Sequence, residues 1–139
     1  MIKFWHKELS NISDKATIGD GSVIHSGVDI HDEVVIGNEC QIEAMVFLPN
    51  GVTLQDKVFV GPHVVFTNDP KLDTAREEWK PTKTLVKAGA KIGANSTIRA
   101  GVIIGYNSIV GCGSVVLHDI PDDEVWAGNP CKFIRKINN

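Results

Sequence analysis

ISDKATIGDGSVIHSGVDIHDEVVIGNECQI, residues 12–42, places isoleucine at every sixth position: Ile12, Ile18, Ile24, Ile30, Ile36 and Ile42. The series runs on through Leu48, Leu54 and Val60 to Phe66. A second series follows four residues behind it and is small or β-branched: Ala16, Ser22, Val28, Val34, Cys40, Val46, Val52, Val58 and Val64. After a break the pattern resumes at Val86, Ile92, Ile98, Ile104, Val110 and Val116, with Ala90, Ser96, Val102, Ser108, Ser114 and Ile120 as companions. A period of six is neither the 3.6 of a helix nor the 2 of an ordinary strand. It marks a hexapeptide repeat, which builds a parallel β-helix. A β-sandwich of many short strands would not hold one phase so long.

Each hexad supplies one short strand and one turn, and three hexads close a triangular coil. Residues 18 apart then stack on one face, about 4.8 Å apart. The first hexad position fills a corner of the prism, and the fifth must be small because three faces crowd one axis. Glycine at the second position (Gly19, Gly37, Gly61, Gly93, Gly105, Gly111) suits a tight backbone. The expected architecture is all-β, with about five coils in one domain over 1–139. Residues 1–11 are expected to cap the stack, 12–66 and 86–120 to form coils, 67–85 to leave the prism as a loop, and 121–139 to form a tail. Val35, Phe47, Phe59, Val65, Ile103 and Ile109 fall on outer faces, and such apolar surface marks an interface. Packing around a threefold axis would cover it, so a homotrimer is expected.

Composition narrows the class. Of the 139 residues, 22% are charged and 42% hydrophobic, and the net charge is −3 without a basic stretch, so no nucleic-acid partner is indicated. No apolar run is long enough to cross a membrane. The first residues lack the apolar core of a secretory signal, so a cytoplasmic protein is expected. Cys40, Cys112 and Cys131 are dispersed, without disulfide-scaffold or zinc spacing.

The interruption carries the functional information. Phe66 and Val86 are 20 residues apart, not a multiple of six, and the segment between them contains Asn68, Asp69, Arg76 and Trp79. Loops thrown from rigid scaffolds commonly carry function. The stretch GPHVVFTND (61–69), the following TLVKAGAKIGANSTI (84–98) and the tail AGNPCKFIR (127–135) resemble the left-handed β-helix acyltransferases of nucleotide-sugar pathways. Within that family the chain is most similar to N-acetyltransferases of dTDP- or UDP-linked 3-amino sugars. The left hand is implied by this resemblance alone, since crossovers are otherwise right-handed.

The resemblance implies acetyl-CoA as co-substrate, a nucleotide-linked amino sugar as acceptor, no metal, and sites at subunit interfaces of a homotrimer. The sugar O-acetyltransferases of this fold have a catalytic histidine near the start of the loop; here Asn68-Asp69-Pro70 stands there. A hydroxyl acceptor needs a base, whereas a neutral amine attacks a thioester without one. Asn68 would orient the amine, and Asp69 would hold a cationic amine, accept its proton, or only form the turn. His63 is a candidate proton relay or a plain turn residue. Gly93, Ala94, Gly111 and Cys112 would leave backbone open to a pantetheine arm and an oxyanion. Lys132 and Arg135 would meet coenzyme A phosphates. Gln41, Glu43 and Trp79 are candidate acceptor contacts.

Three other readings compete. The first is a sugar O-acetyltransferase with His63 as base. The second is a γ-class carbonic anhydrase, which needs three histidines on zinc; eighteen residues beyond His25 stands Glu43, and beyond His31 stands Pro49. The third is a β-helix trimer without catalysis, which leaves the polar loop and the tail unexplained.

Overall fold

The computed structural model describes residues 1–138. They form a left-handed parallel β-helix with three flat faces. Face one stacks Lys3–Phe4, Val23–Ile24, Gln41–Ile42, Phe59–Val60, Lys91–Ile92, Ile109–Val110 and Glu124–Ala127, with Lys132–Lys136 added antiparallel at its end. Face two stacks Asn11–Ile12, Asp29–Ile30, Phe47–Leu48, Val65–Phe66, Thr97–Ile98 and Val115–Val116. Face three stacks Thr17–Ile18, Val35–Ile36, Val52–Leu54, Thr84–Val86 and Ile103–Ile104. The register is 18 residues, as in Gln41 against Phe59, and widens to 32 across the loop, as in Val65 against Thr97.

The core follows the repeat. First-position residues from Ile24 to Val116 are at most 1% exposed, and the fifth-position series packs against them. Ser22, Ser96, Ser108 and Ser114 are buried within that series. Their hydroxyls donate to glycine carbonyls: Ser22 to Gly37, Ser96 and Ser114 to Gly111, Ser108 to Gly105. A small hydroxyl therefore fits the axis without leaving a buried polar atom unpaired.

The turns share one conformation. From Gly21 to Gly113, the fourth residue of each hexad outside the loop has left-handed φ, including Met45 at 63° and His63 at 61°. The second-position glycines answer a different need. A Cβ on Gly93 would lie 2.5 Å from the Cys112 nitrogen, and one on Gly61 would lie 2.7 Å from that of Ala94.

Face one is taller than the five coils expected. Lys3–Phe4 pairs with Val23–Ile24, and Glu124–Ala127 pairs with Ile109–Val110, so both ends extend the stack as well as cap it. Ile120 also departs from the repeat. It pairs with Ile104 on face three as a first-position residue, only four residues after Val116. Val35, Val65 and Ile103 are exposed on the outer faces, whereas Phe47, Phe59 and Ile109 are half-buried.

Candidate active site

The loop is shorter than the spacing indicated. Thr84 and Leu85 belong to face three, paired with Val52 and Thr53, so the excursion covers 67–83 rather than 67–85. Its neck is closed by Thr82, whose N–H donates to the Asn68 carbonyl at 2.9 Å. The Asn68 side chain is half-buried, and its Nδ2 donates to the Asn50 carbonyl one coil below at 2.9 Å. Among the described residues nothing donates to its Oδ1, which is left as an acceptor.

Asp69 organises the loop. Its carboxylate, 15% exposed, accepts the N–H groups of Lys71 at 3.0 Å and Asp73 at 3.3 Å, and contacts Arg76 Nη1 at 3.4 Å. Arg76 in turn lies over the Trp79 ring, 5.1 Å from its centroid. Asp69 is thus engaged as the turn residue that the sequence left as one of its alternatives, and Trp79 packs within the loop. A small groove of about 220 Å³ runs from the loop onto face two, with Asp69, Leu72, Arg99 and Leu117 in its walls. Sequence reasoning missed Arg99. The signal was its place one coil above Thr67 in the 32-residue register, where Ala100 N–H donates to Thr67 Oγ1.

His63, Gly93, Ala94, Gly111 and Cys112 all fall on the corner between faces one and two. Asn68 lies on the corner between faces two and three, at the other end of Val65–Phe66. One chain therefore does not bring His63 and Asn68 together. The glycines also differ from expectation. The N–H of Gly93 is taken by Val110 O and that of Gly111 by Trp126 O, both at 2.8 Å. The open donors are the next residues: among the described residues, the N–H groups of Ala94 and Cys112 have no acceptor. Gly61 and Gly93 lie directly beneath them, without a side chain to accept those bonds. Among the described residues the N–H groups of Ser26 and Ala44 are equally unpaired, but the second positions beneath them hold Trp5 and His25 instead of glycine; on another corner the unpaired N–H of Asp56 is backed by a glycine, Gly37.

Glu43 and Gln41 converge on His25. Its Nε2 is 2.8 Å from Glu43 Oε2 and 2.7 Å from Gln41 Nε2, and its ring stacks on Trp5 at 6.2 Å. His25 was not among the expected site residues, although its 18-residue spacing from Glu43 is the stacking distance. At the upper end of the same corner, Lys132 is opposite Ala127, which stacks on Gly111. Lys132 and Arg135 are exposed, and Arg135 Nη1 donates to Lys136 O at 3.3 Å. Burial pushes the Cys131 thiol above its ordinary pKa, against a smaller opposing effect of Ser114. No group of three or more His, Cys, Asp or Glu that could share a metal ion occurs among the described residues.

The six-repeat bacterial transferase hexapeptide family matches residues 15–50. That stretch of the chain carries the repeat of the bacterial hexapeptide transferases. This hexapeptide-repeat protein is 38% identical over 92 residues to the galactoside O-acetyltransferase of Lactococcus lactis, covering 59% of this chain and 44% of that one. It is 44% identical over 51 residues to the dTDP-3-amino-3,6-dideoxy-α-D-galactopyranose 3-N-acetyltransferase of Aneurinibacillus thermoaerophilus, covering 37% and 27%. A crystal structure of a mutant perosamine N-acetyltransferase from Caulobacter crescentus, in complex with CoA and GDP-perosamine, superimposes with a TM-score of 0.81 at 25% identity. That match covers 96% of this chain and 57% of the other. The chain thus spans less than two thirds of the length of each of these three proteins.

Proposed function

We propose that the protein is an acetyl-CoA-dependent N-acetyltransferase acting on the amino group of a nucleotide-linked amino sugar. The observation that carries this reading is the glycine-backed column whose Ala94 and Cys112 N–H groups have no partner among the described residues. Pantetheine carries amide carbonyls along an extended arm, and such donors at one-coil spacing would hold it or the developing oxyanion. Lys132, at the upper end of the column, would meet phosphate. The 3-amino-sugar N-acetyltransferase and the CoA-bound perosamine enzyme support the same chemistry.

In the reaction, the neutral amine attacks the thioester carbon, and the tetrahedral oxyanion collapses with release of the coenzyme A thiolate. The nitrogen loses a proton and the thiolate gains one, giving amide and free thiol. Asn68 Oδ1 would accept an N–H of the amine and aim its lone pair at the carbonyl, so orientation supplies much of the rate. Asp69 would act at one remove, by fixing the loop.

Because the open column and Asn68 lie on different corners, a second copy would complete the site. The exposed Val35, Val65 and Ile103 support a homotrimer that joins these corners. A second reading, sugar O-acetylation with His63 as base, draws on the galactoside O-acetyltransferase match and on the exposed His63 at the same corner.

The test is release of free thiol from acetyl-CoA with a panel of dTDP- and UDP-linked amino sugars. Release that needs an amino sugar, and that falls about 100-fold in Asn68→Ala, is expected. Release only with hydroxyl acceptors, lost in His63→Ala, would transfer the assignment to O-acetylation.

A further inference from the structure

A groove of about 490 Å³ runs down the corner between faces two and three, directly below Asn68. It is lined by Asn11, Ser13, Ile30, His31, Asp32 and Asn50, none of which the preceding reading uses as a ligand contact. Its upper end is the Asn50 carbonyl that fixes the Asn68 amide. Asp32, Asn50 and Asn68 stand at 18-residue steps, so the groove descends two coils, about 9.6 Å, from the amide. That length accommodates a hexose ring whose amino group is at Asn68.

The polar groups are held in place by one another. Asn11 Nδ2 donates to Asp29 Oδ1 at 2.8 Å, and His31 Nε2 lies 3.2 Å from the same oxygen. The His31 ring is fixed from the other side by an edge contact with Phe47, centroids 5.0 Å apart. Ser13 donates to Asp32 and accepts the Lys15 N–H at 3.0 Å. Groups fixed before binding lose little entropy when a ligand arrives.

The charge selects what can enter. Within the groove Asp32 lies 4.0 Å from the Lys15 ammonium, which is 70% exposed, while the neighbouring Asp29 is engaged by Asn11 and His31. Carboxylates accept bonds from hydroxyls and attract an ammonium, and they repel a diphosphate. We propose that this groove is the subsite for the hydroxyl-bearing amino-hexose ring of the acceptor, with the nucleotide diphosphate held outside it. This rests on the acetyltransferase reading for its link to catalysis and on the groove alone for its ligand class.

His31 and Asp32 are 43% and 55% exposed, so His31→Ala and Asp32→Asn are expected to keep the melting temperature of the parent. With an accepted amino-sugar nucleotide, each variant is predicted to raise the KM for the acceptor about tenfold and to leave that for acetyl-CoA unchanged. An acceptor KM within twofold of the parent, or an equal rise for both substrates, would overturn the subsite. If the parent protein acetylates no sugar of the panel, the catalytic reading fails, and the groove is tested separately by NMR titration with glucosamine. Movement of the His31 ring resonances in the parent, weakened in Asp32→Asn, supports the subsite; a His31 signal unmoved through the millimolar range overturns it.

Discussion

Two corners of the prism share a left-handed turn conformation and differ in how their third-position N–H groups are met. On the corner between faces three and one, three third-position N–H groups have side-chain acceptors: Asn38 donates to Asp56 at 2.8 Å, Ala88 to Gln55 at 3.0 Å, and Tyr106 to Asp122 at 2.7 Å, while that of Asp56, above Gly37, has none among the described residues. On the corner between faces one and two, the N–H groups of Ala94 and Cys112 have none among the described residues. Glycine is not the distinction, because Gly37 and Gly105 are as tightly covered as Gly61 and Gly93. At Asn38 and Tyr106 the aspartate one coil above folds back over the N–H below it, and at Ala88 the Gln55 side chain reaches up from the coil below, whereas Cys112 does not cap Ala94. The first corner is thus capped by its own chain at three of these N–H groups, and those of Ala94 and Cys112 on the second are uncapped among the described residues.

The comparison breaks most severely at Gly93. Gly93→Val would drive side-chain atoms into the Cys112 backbone, and a loss of about 3 kcal/mol is expected in denaturant unfolding. Gly113→Ala on the same corner, with no atom within 4 Å of the added Cβ, should lose only about 1 kcal/mol, from its φ of 69°. Next in size is a transplant of the cap. Cys112→Asn would place an amide oxygen over the Ala94 N–H as Asp56 does over Asn38. It is predicted to hold or raise the melting temperature while weakening acetyl-CoA binding about tenfold, read by calorimetry. The reverse change, Asp56→Ala, should lose about 1 kcal/mol of stability and leave acetyl-CoA affinity unaltered. The smallest effect concerns Cys40. Burial, helped by the Asp56 charge, raises its thiol pKa over the opposing hydrogen bonds. The unfolded chain therefore ionises first, and this contribution to stability is complete below about pH 8.5 and shrinks as the pH rises beyond it. Cys40→Ser should flatten the fall in melting temperature between neutral and alkaline pH.

The repeat was legible because its cause is local and periodic. A first-position aliphatic every six residues fixes the strands, and the inward series fixes the axis, so even the Phe66 to Val86 break announced a loop. Its end was misread because Thr84 and Leu85 precede the first phased residue, Val86, yet pair with Val52 and Thr53. The two ends were read mainly as cap and tail because Lys3–Phe4 and Glu124–Ala127 lie outside the hexad phase. The glycines at 93 and 111 drew attention to their corner for an incomplete reason. Their own N–H groups are consumed by the ladder, and the free donors belong to residues with no polar side chain to draw notice. The Asn11, His31 and Asp32 groove drew no notice in the sequence, although Ser13 and His31, and Asp32 and Asn50, stand at the 18-residue stacking distance.

The central claim is most directly tested by recording backbone amide resonances during a titration with coenzyme A. The account predicts that the Ala94 and Cys112 signals move strongly, while those of Asn38, Ala88 and Tyr106 stay in place. Binding that moves the capped corner instead, or that leaves Ala94 and Cys112 unmoved, would contradict it.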